Sequence, residues 1–343
     1  MSKRQVAMVM DLNKCLGCHT CSVACKTLWT REEGMEYMLW NTVNTMPGLG
    51  TPKNWEQMGG GFKDGKASLG QLPTREEFGD SWEYNYNDVF YNGNGQKVHL
   101  QIKGDQPTWG PNWDEDQGAG EFPNSYFFYL PRICNHCSNP ACAAACPRKA
   151  IEKREEDGIV VINEDRCRGY RFCMEACPYK KIYFNKEKGV SQKCIFCYPR
   201  LEQGVVNACV RQCPGRIRHV GYLDDKESSV YKLVHEWKVA VPLHPEYGTQ
   251  PNVYYVPPVG PARYTEDGDL DESSPRIPDE YLISLFGPQV LDALNIVKAE
   301  KEKTRKGEKS ALVDLLIGYR WTDMFGGFDK DPQSIQWVDA GKS

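Results

Sequence analysis

Fifteen cysteines of this 343-residue chain fall into four tight groups, and one of the groups is a cysteine short. The first group has the spacing C-x2-C-x2-C-x3-C, which is typical of iron–sulfur clusters. The third group keeps the same frame, with Tyr170 in place of its second cysteine. The groups are Cys15, Cys18, Cys21 and Cys25; Cys134, Cys137, Cys142 and Cys146; Cys167, Cys173 and Cys177; and Cys194, Cys197, Cys209 and Cys213. Because a cubane needs one thiolate per iron, the sequence predicts three 4Fe–4S clusters and one 3Fe–4S cluster.

Two other uses of cysteine fit the pattern less well. Disulfides are typical of small secreted chains and would leave one of fifteen thiols unpaired. Zinc sites use C-x2-C pairs separated by a spacer. In the first group, three cysteines within seven residues and a fourth four residues later are too dense for one tetrahedral ion. The iron–sulfur interpretation therefore takes precedence over both.

The composition argues against several other classes of protein. The net charge is −4 and the pI is about 6.0, so the chain lacks the basic footprint of a nucleic-acid-binding protein and we expect no nucleic-acid partner. The mean hydropathy is −0.60, and no apolar run reaches the roughly 18 residues of a transmembrane helix. The N-terminal sequence MSKRQVAMVMDLNKC has neither a signal-peptide apolar run nor a twin-arginine pair. We expect the chain to stay in the cytoplasm unless a partner carries it elsewhere.

The motifs predict an α+β fold of two nested, bacterial-ferredoxin-like βαβ modules. A strand–loop–short helix–strand unit recurs, with expected strands at Val6–Met10, Tyr126–Leu130, Ile159–Ile162 and Lys181–Phe184. Proline follows the last cysteine in three of the four motifs and ends the short helix there. The expected domains are 1–28 with 185–225 (motifs one and four), 29–125 (a coil-rich insertion), 126–184 (motifs two and three) and 226–343 (a C-terminal extension).

The insertion and the extension carry many aromatic residues. Long segments of this kind are usually functional or lie on a partner, and exposed aromatic side chains are typical of docking surfaces. The extension is expected to be extended over 248–261, helical over 278–302 with a break at Gly287–Pro288, and helical again over 310–317. The aromatic residues are Trp40, Trp55, Trp82, Trp109 and Trp113 in the insertion and Trp321, Phe325, Phe328 and Trp337 in the extension.

The division of cysteines among clusters follows from a crossover. In two-cluster ferredoxins the fourth cysteine of a motif binds the other cluster. Of the three ways to pair four motifs, the short segment between motifs two and three favours joining these two, which leaves the first with the fourth. The first set is Cys15, Cys18, Cys21 and Cys213; the second is Cys25, Cys194, Cys197 and Cys209; the third is Cys134, Cys137, Cys142 and Cys177; the fourth, for the 3Fe–4S cluster, is Cys146, Cys167 and Cys173.

Basic residues crowd the third motif. Positive charge near a cluster stabilises its reduced state. We therefore predict that Arg168 and Arg171, with Tyr170 beside the open corner, tune the 3Fe–4S cluster to be easily reduced. The alternative is that these bases bind an acidic partner or solvent. His19 and His136 lie inside motifs and are expected to pack or to donate to sulfur, since the cysteine count is complete. The basic residues are Arg166, Arg168, Arg171, Lys180 and Lys181.

No catalytic motif accompanies the cysteines in the sequence. There is no phosphate-binding G-x-x-x-x-G-K-[ST] loop, and the glycines at 59–61 and 93–95 lack the context of a nucleotide site. Four clusters without a substrate pocket would form an electron relay, and the chemistry would belong to a partner.

Several segments resemble one family. The four motifs, with the third one cysteine short, resemble the iron–sulfur beta subunit of the DMSO reductase family of molybdoenzymes. Residues 134–142 (CNHCSNPAC) and 166–179 (RCRGYRFCMEACPY) point to its type II branch. So do residues 111–124 (PNWDEDQGAGEFPN) and 242–258 (PLHPEYGTQPNVYYVPP). That branch includes ethylbenzene and dimethylsulfide dehydrogenases, the selenate, chlorate, perchlorate and nitrate reductases, and nitrite oxidoreductase.

The resemblance implies two partner subunits. One is a catalytic alpha subunit with a bis-molybdopterin guanine dinucleotide molybdenum site and its own iron–sulfur cluster, on which the extension would dock. The other is a gamma subunit with haem b, next to the 3Fe–4S cluster. The complex would be exported folded to the periplasm on a signal carried by the alpha subunit. Residues 319–329 (YRWTDMFGGFD) are most similar to the ethylbenzene dehydrogenase group.

Other functions remain open at the level of sequence. Within the family, the alternative is the beta subunit of an oxyanion reductase or of nitrite oxidoreductase. Outside it, the chain could serve a hydrogenase or formate dehydrogenase, or be an independent polyferredoxin. The subunits of hydrogenases and formate dehydrogenases usually have sixteen cysteines. A polyferredoxin would not need the aromatic insertion and tail.

Overall fold

The computed structural model describes residues 4–79, 85–91, 98–99, 101, 117–319 and 321–326. Short helices and small sheets alternate along these residues, so the predicted α+β class is confirmed. Part of the predicted aromatic docking surface lies outside the described residues, namely Trp82, Trp109, Trp113, Phe328 and Trp337.

Most helices are only one or two turns long, and most strands have only a few residues. The strands are β1 (Val6–Asp11), β2 (Thr42–Met46), β3 (Phe62–Lys63), β4 (Lys66–Ala67), β5 (Phe128–Arg132), β6 (Ile151–Lys153), β7 (Val160–Ile162), β8 (Ile182–Asn185), β9 (Val190–Lys193), β10 (Arg218–Tyr222), β11 (Val241–Pro242), β12 (Val253–Val256), β13 (Ala262–Tyr264) and β14 (Leu270–Pro275). The helices are α1 (Thr20–Trp29), α2 (Arg75–Phe78), α3 (Tyr86–Tyr91), α4 (Ala141–Ala144), α5 (Phe172–Ala176), α6 (Tyr198–Leu201), α7 (Ala208–Arg211), α8 (Ser229–Tyr231), α9 (Asp279–Phe286), α10 (Val290–Arg305), α11 (Ala311–Ile317) and α12 (Trp321–Met324).

The four predicted strands are present, with shifted ends. β5 begins two residues later than expected, because Tyr126 instead forms an isolated bridge with Ala119. The strand expected at Lys181–Phe184 is β8, which pairs with β9 from Ile182↔Lys193 to Asn185↔Val190. This hairpin crosses the expected domain boundary between residues 184 and 185, so the two predicted modules share it.

The largest sheet has the strand order β10-β1-β12-β11. β1 is antiparallel to β10 and parallel to β12, with Met8 opposite both Val220 and Val253. All six residues of β1 are buried, and the buried backbone N–H and C=O groups of such a strand need hydrogen-bond partners along both edges. The extension supplies β11 and β12, so it completes this sheet in addition to any contact with a partner.

The insertion also packs within its own chain. β2 pairs with β5 over five residues, from Thr42↔Arg132 to Met46↔Phe128. Trp40 and Trp55, which were expected on a surface for other subunits, are 6% and 0% exposed. They are buried because the Arg132 guanidinium lies 3.5 Å over the Trp55 ring and the Trp40 indole joins the main core.

The helices of the extension follow the predicted pattern. The break expected at Gly287–Pro288 separates α9 from α10, whose axes differ in direction by 117°. Ser310 caps α11, because its Oγ accepts from Val313 N at 3.1 Å and donates to Glu300 Oε2 at 2.7 Å. Within the described ranges no single helix has the length and apolarity to cross a membrane, although α9 and α10 pass that test together as a bent pair.

Candidate metal centres

Each cysteine motif lies on a loop that turns directly into a helix. His19 (φ 52°), Arg171 (φ 64°) and Cys197 (φ 54°) adopt left-handed backbone conformations immediately before α1, α5 and α6. Such turns direct backbone N–H groups inward. His136 N donates to Cys134 Sγ at 3.5 Å, and Phe196 N donates to Cys194 Sγ at 3.4 Å. All fifteen cysteines are thiols rather than disulfides.

The first set surrounds a small cavity. Burial, with smaller contributions from the thiols of Cys21 and Cys213, raises the pKa of Cys15 to about 12. Cys18 is exposed, as is the neighbouring Leu16 at 65%. The structure thus brings together motif one and the last cysteine of motif four. The cysteines that line the cavity are Cys15, Cys18, Cys21 and Cys213.

The second set surrounds a separate small cavity. Its lining includes Met8, Trp29 and Trp40, and the Trp29 indole donates to Cys197 Sγ at 3.1 Å. Burial raises the pKa of Cys25 well above its usual value, and the three other thiols of the set raise it further. The cysteines that line this cavity are Cys25, Cys194, Cys197 and Cys209.

The third set combines the first three cysteines of motif two with the last cysteine of motif three. Burial raises the pKa of Cys142 well above its usual value, and the thiols of Cys177, Cys134 and Cys137 raise it further. His136 does not face these sulfurs as a ligand. Its Nδ1 accepts from Val160 N at 3.1 Å, and its ring packs edge-on against Phe196 at 5.1 Å.

The fourth set has three thiols. Burial, with smaller contributions from the thiols of Cys167 and Cys146, raises the pKa of Cys173 to about 11. Tyr170 is 57% exposed and packs against the Phe172 ring with centroids 6.4 Å apart. The position without a cysteine therefore faces outward.

Thiols of different sets lie close enough to influence one another, and this proximity indicates the order of the sets. Cys21 of the first set raises the pKa of Cys25 in the second, and Cys134 of the third raises that of Cys194 in the second. Cys177 of the third set raises that of Cys173 in the fourth. Such interactions weaken with distance. Cys21 and Cys25 also share α1, and Cys177 directly follows α5, which holds Cys173, so the sets are arranged in the order first, second, third, fourth.

The basic residues of the third motif do not form one group. Arg168 donates to the backbone oxygens of Asp165 and Cys167, and Arg171 lies over the Phe184 ring at 5.4 Å. Lys181 was expected beside the 3Fe–4S site. It lies instead near thiols of the second and third sets, because the chain turns inward at the start of β8.

Two candidate functional residues, Arg218 and Asn41, were not predicted from the sequence. Arg218 is fully buried on β10 near the first two sets. Asn41, from the insertion, donates to Cys21 Sγ at 3.1 Å. The sequence does mark Arg218, because it is a charged residue in a segment that also contains the apolar residues Ile217 and Val220. No local signal marks Asn41, because its contact spans twenty residues of sequence.

The donor chemistry fits iron–sulfur clusters. Thiolates are the ligands these clusters use, and two cavities are each lined by four cysteines from distant motifs. Among the residues that the structure describes, no three His, Cys, Asp or Glu side chains converge as ligands of a single metal ion. The ligand assignment stays a prediction, and the structure brings the members of each set together.

Comparison with known proteins gives one family model and several full-length relatives. Residues 125–223, which contain motifs two to four, match the model of a 4Fe–4S dicluster domain. The beta subunit of selenate reductase from Thauera selenatis is 59% identical, with 95% of this chain and 100% of the relative covered. The beta subunit of chlorate reductase from Ideonella dechloratans is 58% identical, with 95% and 100% covered. The beta subunit of dimethylsulfide dehydrogenase from Rhodovulum sulfidophilum is 55% identical, with 95% and 99% covered.

Proposed function

The chain belongs to the family of iron–sulfur beta subunits of type II DMSO reductase-family molybdoenzymes, and from that premise we propose how it conducts electrons. It is an electron-transfer subunit that carries 4Fe–4S clusters. In the proposed arrangement, electrons move along the row of four thiol sets between a catalytic subunit and a second redox partner.

The row itself is the observation that carries this proposal. Its second set is enclosed, since all four cysteines of that set are buried. Its two ends reach the surface, at Leu16 and Cys18 for the first set and at Tyr170 and Phe172 for the fourth, the last being 39% exposed. A row with buried stations and exposed ends suits transfer between two external partners.

The proposed cofactors are three 4Fe–4S clusters on the first three sets and one 3Fe–4S cluster on the fourth. When bound, each cluster supplies a one-electron station. The chain binds it through thiolates and orients the sulfurs with donors such as the Trp29 indole and the backbone N–H of Phe196. The exposed Tyr170 offers no thiolate for a fourth iron.

The proposed partners are those of a molybdoenzyme complex. A catalytic molybdenum subunit with its own cluster would contact the first set, and a gamma subunit with haem b would contact the fourth. Export to the periplasm together with the alpha subunit is also proposed.

The substrate of the complex depends on the catalytic subunit. Relatives named for a reductase and for a dehydrogenase are 59% and 55% identical to this chain. The sequence of this subunit therefore does not distinguish a complex that reduces its substrate from one that oxidises it. The ethylbenzene dehydrogenase-like hypothesis stays a prediction. A complex reducing an oxyanion such as selenate or chlorate fits the named relatives and is the alternative that we propose alongside it.

The test is electron paramagnetic resonance of the isolated native complex, followed by titration with dithionite and by metal analysis of the same sample. We expect a 3Fe–4S signal in the oxidised sample, interacting 4Fe–4S signals on reduction, and molybdenum. Four cubanes without molybdenum would contradict the proposal and favour the independent polyferredoxin. Molybdenum with no 3Fe–4S signal would overturn only the assignment of the fourth set.

A further inference from the structure

Arg218 is buried at 0% exposure between the first and second thiol sets. Its Nη2 donates to Asn41 Oδ1 at 2.7 Å, and its Nη1 lies 3.7 Å from Met8 Sδ. Asn41 in turn donates to Cys21 Sγ of the first set at 3.1 Å. Met8 and Asn41 also line the cavity of the second set. The guanidinium is thus linked by direct contacts to the surroundings of both sets.

The thiols around Arg218 favour its charged form. Burial lowers the pKa of Arg218, but neighbouring thiols of the two sets raise it by more, so its pKa lies above the ordinary value. Its two hydrogen-bond acceptors are an amide oxygen and a thioether, and neither carries a charge. When these cysteines bind a cluster as thiolates, their sulfurs supply the negative charge that balances this cation. The thiols are Cys21, Cys213 and Cys15 of the first set and Cys209 of the second.

Burial of the Arg218 guanidinium lowers the stability of the fold. Arg218 Nε has no hydrogen-bond partner among the residues that the structure describes. Burial of a charge and of an unpaired donor each opposes folding. An apolar side chain at this position of β10 would avoid that penalty. The arginine therefore supplies something other than packing, and its permanent positive charge is what distinguishes it.

We propose that Arg218 sets the reduction potentials of the clusters held by the first and second sets, and raises both. The inference rests on the proposed function, because it requires clusters at these sets. Reduction adds one electron to a cluster, and a fixed positive charge nearby stabilises that added negative charge. The guanidinium is buried, so salt screens its effect much less than that of a surface charge.

The test is a redox titration of the native complex followed by electron paramagnetic resonance, with and without Arg218→Gln. Variants Cys18→Ser and Cys197→Ser first identify which component belongs to each of the two sets. We expect Arg218→Gln to lower both potentials, each by at least tenfold in the ratio of reduced to oxidised cluster, or about 59 mV. The third and fourth components keep their potentials, and the shifts persist at high salt. Arg218→Lys, which keeps the charge, restores most of both potentials.

Lys181→Gln is the matched control. Lys181 is also buried, at 1% exposure, and its Nζ donates to Leu39 O and Thr42 Oγ1, each at 3.3 Å. Its thiol neighbours belong to the second and third sets. Lys181→Gln should therefore leave the first component unchanged, whereas Arg218→Gln shifts it.

The outcomes separate this inference from the proposed function. A native complex without iron–sulfur signals would contradict the proposed function itself. Four native components with unchanged potentials in Arg218→Gln would overturn the inference alone, as would equal shifts of all four components. If Arg218→Gln does not assemble, Asn41→Asp replaces it, because a carboxylate beside the guanidinium offsets its charge. That variant should lower the same two potentials, and unchanged potentials would again overturn the inference.

Discussion

At the scale of single residues, Tyr170 is the residue on which the proposed 3Fe–4S type of the fourth cluster depends. It occupies the position of the missing cysteine and points outward, with 57% of its surface exposed. Because the side chain is not packed into the core, substitution there changes the ligand set with little cost to the fold. A substitution of Tyr170 therefore tests the ligands of the fourth cluster separately from the stability of the fold.

Tyr170→Cys should convert the 3Fe–4S cluster to a 4Fe–4S cluster with a lower potential, since the new thiolate holds a fourth iron and adds negative charge. The measurement is electron paramagnetic resonance after anaerobic reconstitution with iron. Tyr170→Phe is the control and should keep the 3Fe–4S signal. A persistent 3Fe–4S signal in Tyr170→Cys would mean that the open corner is elsewhere.

Trp29 and Trp40 allow a second test with single residues. Both line the cavity of the second set, but only the Trp29 indole is bonded to a sulfur, Cys197 Sγ, at 3.1 Å. Trp40 Nε1 has no partner within the described ranges. Trp29→Phe should lower the potential of the second cluster by the equivalent of about 1 kcal/mol, the worth of one hydrogen bond. Trp40→Phe should leave it near the native value, and equal shifts in both variants would refute the hydrogen-bond explanation.

At the scale of elements, Asn13 fastens the loop of motif one to the extension. Its Nδ2 donates to Pro257 O and its Oδ1 accepts from Val259 N, both at 2.9 Å. These bonds join residues more than 240 positions apart, just beyond the parallel pair β1 and β12. The extension thereby holds both a strand and a ligand loop of the first set.

Asn13→Ala should destabilise this junction by about 1–3 kcal/mol, because two partly buried backbone groups lose their partners. We expect the first cluster to be lost to an iron chelator faster than the other three, as followed by the decay of its resonance signal. Asn124→Ala is the matched control, because Asn124 makes the same pair of bonds with Tyr264 N and O at 2.8 and 2.9 Å. Equal acceleration in both variants would show that the loss is not local.

His219 on β10 should make the sheet sensitive to acid. It is fully buried, and neither ring nitrogen has a partner in the described part of the chain. Burial, with a smaller contribution from Lys14, lowers its pKa to about 3. The unfolded chain takes up this proton below about pH 6.5, whereas the folded chain does not until about pH 3. Stability is therefore lost as pH falls through this range and is unaffected above it.

His219→Phe should remove that loss, so that the thermal midpoint of cluster bleaching depends less on pH between 6.5 and 5 than in the native complex. The measurement is visible absorbance during heating at several pH values. His235→Phe, at an exposed position, is expected to keep the native dependence. An unchanged slope in His219→Phe would show that other groups dominate.

At the scale of the whole molecule, the two ends of the row should be separable. Leu16→Glu places a charge beside the first set, and Phe172→Glu places one beside the fourth, both at exposed positions. We expect Leu16→Glu to slow reduction of the relay by the catalytic subunit and Phe172→Glu to slow exchange with the other redox partner, each at least several-fold. Stopped-flow absorbance with each partner measures this. Similar effects of both variants on one partner would contradict the two-ended arrangement.

The sequence predicted the parts of this molecule that depend on local spacing. The cysteine frames, the vacant position at Tyr170 and the break at Gly287–Pro288 follow from a few adjacent residues. The pairing of β1 with β12 did not, because nothing within either strand specifies a partner some 240 residues away. Arg218 and Lys181 were also missed as buried groups. Charged residues are almost always exposed, and only the folded chain reveals the thiols and carbonyls that compensate them.

The nesting of the thiol sets has a consequence for biosynthesis. Synthesis proceeds from the N-terminus, so the third and fourth sets have all their cysteines once residue 177 has emerged. The second set must wait for Cys209 and the first for Cys213, and β1 acquires its parallel neighbour only after Val256. The four thiols of motif one therefore remain exposed to oxygen and stray metals for most of translation. We expect the cell to protect this segment, and to insert iron into the inner pair of motifs first.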